Sequence, residues 1–319
     1  MNGATRPPPV VDDSAVAVFE AERARLVGLA YRMLGSRSDA EDIVQDAWLR
    51  WQRQGDDRAL IDRPAAWLTT VVSRLSLDLL RARQRDRADY VGPWLPEPVL
   101  LVDDPSVTVE RRDSLRLGFV HLLERLNPRE RVAFVLADVF DEPHQSISTV
   151  LDESVVNCRQ LVSRARRKLT AAPTIDTAST SAAAAANASI MPPMGPSSAG
   201  ALDAFLAAAA GGDVDALLAA LAPGVVLVSD GGRDRHAARR PVLGADRVAR
   251  FVLTIAQRIP ADATFDVVAV NGERALLISS HARPVLVLSV EGGSDGVDAI
   301  RVVVNPTKLA ALGTAVAMT

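Results

Sequence analysis

The sequence predicts a multidomain protein, with two all-α units followed by a C-terminal α+β domain. Three observations carry that expectation. Apolar residues recur at three- and four-residue steps through residues 14–169, the pattern of helices with one buried face. Residues 171–199 are a low-complexity tract of Ala, Ser, Thr and Pro, the composition of a tether. Beyond it, helical patterns give way to a run of strands, the order of an α+β domain. The chain has 319 residues and is 48% apolar, long enough for several domains and apolar enough for real cores.

The first helix is expected to be capped by Ser14, with Phe19, Leu26, Ala30 and Met33 on one stripe and Gly35 as its left-handed terminator. The next stretch, SDAEDIVQDAWLRWQ at residues 38–52, reads as a helix opened by a Ser38–Glu41 capping box. Ala40, Ile43, Val44, Ala47, Trp48 and Trp51 form its core stripe. Asp39, Asp42, Gln45, Asp46 and Leu49 are left over as an acidic edge that folding does not require.

A third helix is expected from Pro64 to about Arg87, with Leu68, Val71, Val72, Leu75 and Leu79 inward. Arg74, Arg81 and Arg85 line one face and Trp67 sits near its start. A basic face with an aromatic suits single-stranded DNA. The competing reading places Trp67 in the core. Residues 90–105, YVGPWLPEPVLLVDDP, carry four prolines and break the helical pattern. This linker is apolar, so Trp94 and Leu95 should lie against something.

Helices resume near Ser106, and Asn127-Pro128-Arg129-Glu130 marks a helix start running on to about Phe140. A short helix is expected at 145–151, then one capped by Ser154 and ending near Leu169. The latter points Val155, Cys158, Val162, Ala165 and Leu169 inward. Asn157, Gln160, Arg164 and Arg167 fall on the other side, flanked by Arg159 and Ser163. Two helices joined tightly, the second offering amides and guanidinium groups, read as a helix-turn-helix facing a major groove. Taken alone, that helix also fits a solvated basic end favourable to its own dipole.

In the last 120 residues, helices are expected at 201–210, 214–221 and 245–258, and strands at 225–229, 265–270, 273–280, 285–290 and 297–304. Asn271-Gly272 is the favoured two-residue hairpin turn.

Composition excludes other classes. A single cysteine, Cys158, allows no internal disulfide and fits a reducing cytoplasm. Four scattered histidines give no zinc pattern, and no cofactor is expected. No run of about 18 apolar residues predicts a membrane span, and the N-terminus lacks a secretory h-region. Net charge is −3, so any DNA-binding surface must be local.

Several motifs together resemble one family. AYRMLGSRSDAEDIVQDAWLRW, PAAWLTTVVSRLSLDLLR, LNPRERVAFVLADVF and CRQLVSRARRKL are similar to regions two and four of extracytoplasmic-function (ECF) sigma factors. WLPEP in the linker, DGG at residues 230–232 and NPTKL at 305–309 resemble the ECF group with a C-terminal SnoaL-like domain, the sigma-J type. The resemblance implies a region-two helical bundle (1–90), a proline-rich linker (91–105) and a region-four helix-turn-helix (106–170). A low-complexity linker (171–199) and a SnoaL-like α+β cone domain (200–319) follow.

It also implies roles. Asp39, Glu41, Asp42, Gln45, Asp46 and Leu49 fall where such factors bind the β′ clamp helices of core RNA polymerase, with the β flap a further polymerase contact. Val72, Ser73 and Arg74 fall at a loop that captures a flipped minus-ten base, and Arg159, Gln160 and Ser163 at minus-thirty-five reading positions. Trp94, Leu95 and Pro96 of the linker, Asp230, Gly231 and Gly232, and Asn305, Pro306, Lys308 and Leu309 are the expected regulatory contact. Asp152 and Glu153 occupy the turn before the recognition helix, where the family often has glycine; aspartate tolerates left-handed geometry.

The expected function is an alternative, non-enzymatic sigma factor that acts as one copy on polymerase and promoter DNA. Its cone domain either regulates the sigma halves or forms a cup for a small-molecule effector, where Asp230, His236, His281 and Arg301 could converge. A helix-turn-helix repressor with a sensing domain is the alternative, but it leaves the acidic edge of residues 39–49 without a task.

Overall fold

A computed structural model describes residues 13–86, 90–100, 114–171, 199–293 and 295–316. The helix start expected near Ser106, most of the low-complexity tract, Arg87 and the side chain of Arg85 lie outside the described residues.

Three helices open the chain: α1 (Asp13–Leu34), α2 (Arg37–Arg53) and α3 (Pro64–Asp86). Gly35 ends α1 at φ 69°, as its position predicts. It is also pinned from outside, since a Cβ there would lie 2.5 Å from the Trp94 ring. The stripe of α2 is buried as expected except for Trp48, which is half-buried, and Trp51 donates its indole N–H to the Ala15 carbonyl at 3.1 Å. The capping expectation needs correction. Ser36, not Ser38, caps α2 and accepts the Asp39 N–H, while Glu41 pairs with Arg37 instead. Ser36 is the residue held in extended backbone, which a cap requires.

The second helical set is α4 (Leu117–Leu122), α5 (Pro128–Phe134), α6 (His144–Leu151) and α7 (Val155–Thr170). Asn127 and Glu130 form the predicted capping box. The helix expected to reach Phe140 finishes in a π turn, Val135–Val139. Asp152 takes φ 51° between α6 and α7, so the glycine-free turn closes on a left-handed aspartate. Apolar side chains of the two sets merge into one buried cluster, from Phe19 and Leu26 through Val72 to Val135 and Val162. Regions expected as separate units thus share a core.

The C-terminal unit is α+β: α8 (Ala199–Gly211), α9 (Val214–Ala220), β1 (Leu221–Asp230), β2 (Val242–Leu243), α10 (Ala245–Ala256), β3 (Thr264–Val270), β4 (Glu273–Ser280), β5 (Arg283–Gly293), β6 (Gly296–Val303) and α11 (Pro306–Val316). The strand order is β2-β1-β6-β5-β4-β3. Strands β3 to β6 run antiparallel as expected, whereas β1, which precedes α10, pairs parallel with β6. One sheet face packs on α8 and α10 through residues such as Phe205, Val252 and Ile300. Its other face buries Leu277, Val287 and Val303 against Leu309 and Leu312 of α11, and against Leu95 and Leu117 from the sigma-like half. Alternation along each strand supplies both faces.

Candidate nucleic-acid and partner interfaces

The edge of α2 sorts into two parts. Asp42, Gln45, Asp46 and Leu49 follow steps of three and four residues and are exposed, Leu49 at 39%. Asp39 is drawn inward: its carboxylate takes both guanidinium nitrogens of Arg83, one at 2.8 Å. Its side chain therefore does serve the fold, contrary to the expectation for that edge. Glu41 is exposed and paired with Arg37 at 2.6 Å.

The α3 expectations change most. The resemblance puts Val72, Ser73 and Arg74 at a base-capturing loop; they lie within the helix that periodicity predicts, where Val72 is buried as its stripe requires and Ser73 is completely buried as well. The reason is that α3 is enclosed by α1 and α2 and also by α5 and α6. Ser73 and Ser76 hydroxyls are buried with no hydrogen-bond partner among the described residues. Arg74 donates to the Thr149 carbonyl of α6 at 2.6 Å. Trp67 stacks obliquely on Trp51, with ring centroids 5.4 Å apart, and lines a crevice shared with Leu136 and Val150. Arg81 is exposed beside Asp78. The exposed segment before α3, a short 3-10 helix at Gly55–Leu60 with Leu60 at 78%, was not singled out by sequence reasoning; its only signal was the break in apolar periodicity.

The outer face of α7 is open. Arg159, Gln160, Ser163, Arg164 and Arg167 are exposed, and Asn157 donates to Glu153 at 3.0 Å. Cys158, Val162 and Ala165 are buried as expected, together with Leu161. The flanking cations serve the fold: Arg166 pairs with Asp138 and Lys168 with Glu130.

The three linker motifs do meet. Asp230 is fully buried, and its two carboxylate oxygens accept from Tyr90 Oη (2.6 Å), the Gly232 N–H (3.0 Å), the Leu95 N–H (2.8 Å) and Lys308 Nζ (2.6 Å). Lys308 also donates to the Leu95 carbonyl and lies 3.9 Å from the Trp94 ring centroid. Asn305 donates to Tyr90 Oη at 2.9 Å. Gly231 and Gly232 are required by space: a Cβ would lie 2.5 Å from the Arg235 carbonyl or 2.7 Å from Asn305 Nδ2. Leu95, Pro96 and Leu309 are buried, whereas Pro306 is exposed. Glu97 then grips region two, accepting from Ser36 Oγ and the Arg37 and Ser38 N–H groups.

Sequence reasoning missed Asn271 as a contact. It occupies the predicted turn at φ 54° yet is buried. Its N–H meets the Val99 carbonyl at 2.7 Å and its side-chain oxygen accepts the Val99 N–H at 2.9 Å. Its amide nitrogen donates to Tyr31 Oη (2.7 Å) and the Leu115 carbonyl (2.8 Å). One side chain thus touches the bundle, the linker and the start of the second helical set. Arg116–Glu273 (3.2 Å) reinforces the junction.

The proposed convergence in the cone fails. Asp230 faces the linker, Arg301 pairs with the buried Glu291, and His281 is exposed beside Asp262 at a hairpin end. Among the described residues there is no His/Cys/Asp/Glu group able to hold a metal, and no helix is long and apolar enough to cross a membrane.

A helical bundle with an acidic edge, joined to a helix-turn-helix with an open basic face, defines the sigma-70 class. Residues 18–86 match Sigma-70 region 2, and residues 116–169 match Sigma-70, region 4. The chain is 41% identical over 246 residues to the ECF RNA polymerase sigma factor SigJ of Mycobacterium tuberculosis, covering 76% of this chain and 73% of that one. It is 36% identical over 308 residues to the probable ECF RNA polymerase sigma factor SigI of the same species, covering 93% and 95%. The crystal structure of M. tuberculosis SigJ superposes with a TM-score of 0.70 at 34% identity, covering 92% of this chain and 98% of that one. The chain belongs to the ECF RNA polymerase sigma factors.

Proposed function

We propose that this sigma factor binds core RNA polymerase through the open part of the α2 edge, reads minus-thirty-five DNA with α7, and is held shut by its own cone domain. The carrying observation is an asymmetry. The α7 face is free, whereas the α3 face is occupied by region four through Arg74, Trp67 and the α6 carbonyl. Melted minus-ten DNA needs that face, so the two halves must part before a promoter opens. The unpartnered Ser73 and Ser76 hydroxyls support this, because buried unsatisfied groups favour a state in which they find partners. The exposed segment around Leu60 is the better candidate for capturing a flipped base, with Arg74 and Arg81 holding the strand.

Asp42, Gln45, Asp46 and Leu49 carry the clamp-helix contact, while Asp39 and Glu41 shape its rim. Arg159, Gln160 and Ser163 read base edges; Asn157, Arg164 and Arg167 hold the adjacent backbone. The Asp230–Lys308 clamp and Asn271 set the balance between closed and open forms. A cytoplasmic location follows from work with polymerase and promoter. The test is transcription in vitro with bacterial core polymerase and a promoter library. Specific initiation is expected from the full chain, altered by removing residues 305–319. Tight operator binding without initiation would sink the proposal.

A further inference from the structure

The cone sheet has a cavity that the sigma contacts do not use. It measures about 660 Å³ and lies on the α10 side of the sheet, beneath the loop of residues 231–240. That size falls within the roughly 300–1,000 Å³ of small-molecule sites. Its wall is apolar, formed by Phe251, Ile255, Ile278, Leu286 and Val302. Its charged lining is Asp234, Arg235, His236 and Arg258, a cationic balance. Neither Arg235 nor Arg258 has a carboxylate partner among the described residues. An apolar bowl whose exposed rim carries two guanidinium groups against one carboxylate complements one kind of guest: an apolar tail bearing an anionic head.

The same loop has a second side. Ser229, Gly232 and residues 233–239 line a smaller cavity of about 180 Å³ together with Val91 and Gly92 of the linker. A Cβ on Gly92 would lie 3.4 Å from the Arg239 Cα, so linker and loop backbones are in close contact. The Ala238 N–H donates to Ser229 Oγ at 2.8 Å, one residue before the Asp230 clamp. A guest that displaces the loop therefore acts on the segment gripping the linker.

We propose that this cavity binds a small amphipathic carboxylate and that its occupancy is coupled to the linker through residues 231–240. The coupling rests on the regulatory reading above; the binding site does not. A nucleic-acid backbone is the competing guest for the arginines, but it would leave the apolar wall unused.

The test uses the full chain, with decanoate as probe and decan-1-ol as its uncharged counterpart, by titration calorimetry. Decanoate should bind saturably, about tenfold or more tightly than the alcohol. The double variant Arg235→Gln with Arg258→Gln should abolish that preference while keeping alcohol binding. Ile255→Trp, which fills the bowl, should weaken both. Absence of saturable binding, or equal affinity for the two probes, would overturn the site. So would an Arg235→Gln/Arg258→Gln pair that loses duplex DNA affinity but not decanoate. In transcription, decanoate should alter initiation by the native chain and not by the double variant. Binding without that change would overturn the coupling while leaving the site, and the regulatory reading fails separately if removal of residues 305–319 leaves initiation unchanged.

Discussion

Asn271 and His121 mark the points where single side chains join the parts. His121 lies one turn beyond Gly118, which abuts the Glu291–Arg301 pair, and its Nδ1 has no hydrogen-bond partner among the described residues. Its pKa is pushed down to about 3, chiefly by burial and then by the charges of Arg301, Lys308 and Arg131. The unfolded chain takes up this proton near pH 6.5 and the folded chain does not until about pH 3. Stability held by neutral His121 is therefore complete above about pH 6.5 and lost as pH falls through that window, at up to ~1.4 kcal/mol per pH unit. Urea midpoints at pH 7 and pH 5 should drop more for the native chain than for His121→Gln. Equal drops would refute the assignment. Nothing in the sequence around His121 announces this, because Arg301 and Lys308 act on it from more than 150 residues away.

Helix α2 shows what an element can carry. One face is core and the other leaves Asp42, Gln45, Asp46 and Leu49 exposed. Substituting Asp42, Gln45 and Leu49 with alanine should lower polymerase affinity while each changes stability by no more than ~0.5 kcal/mol. Ile43→Ala, in the buried stripe, should cost ~2–5 kcal/mol. Stability losses of the same size at Asp42 and Ile43, read by thermal melting, would remove the distinction. The stripe of α2 was legible because a 3.6-residue period is local information. Its cap was not: Ser36 precedes the helix and Ser38 lies in its first turn, Glu97, about 60 residues on, contacts both, and only the extended backbone at Ser36 marks it as the cap. Helix α3 was misread for a related reason. Val72 is buried as its stripe predicts, but Ser73, outside that stripe, is buried too because region four packs upon the helix.

At the scale of the molecule, the cone domain holds the sigma halves together. The hairpin turn at Asn271 meets Tyr31, Val99 and Leu115, and the Asp230–Lys308 pair meets Tyr90 and Leu95. Asn271→Gly keeps the positive φ and removes the side-chain bonds, so it separates the junction from the turn. The junction should weaken by ~1–3 kcal/mol. Hydrogen exchange should quicken at residues 95–100 while β4 and β5 stay protected. Unchanged exchange in the linker would show that Asn271 is only a turn residue.

The sequence by itself determined the helices and most strands, the recognition helix with its outward residues, and the motifs that meet in the linker clamp. These follow from periodicity, capping chemistry and short motifs, all of which act within a few residues. Only the tertiary structure decided that regions two and four share a core, that the outer face of α3 is covered, that β1 runs parallel to β6, and that Asn271 joins the parts. Each of those depends on which surface meets which across a hundred residues or more, where the free energy lies in burial and in hydrogen bonds between distant segments.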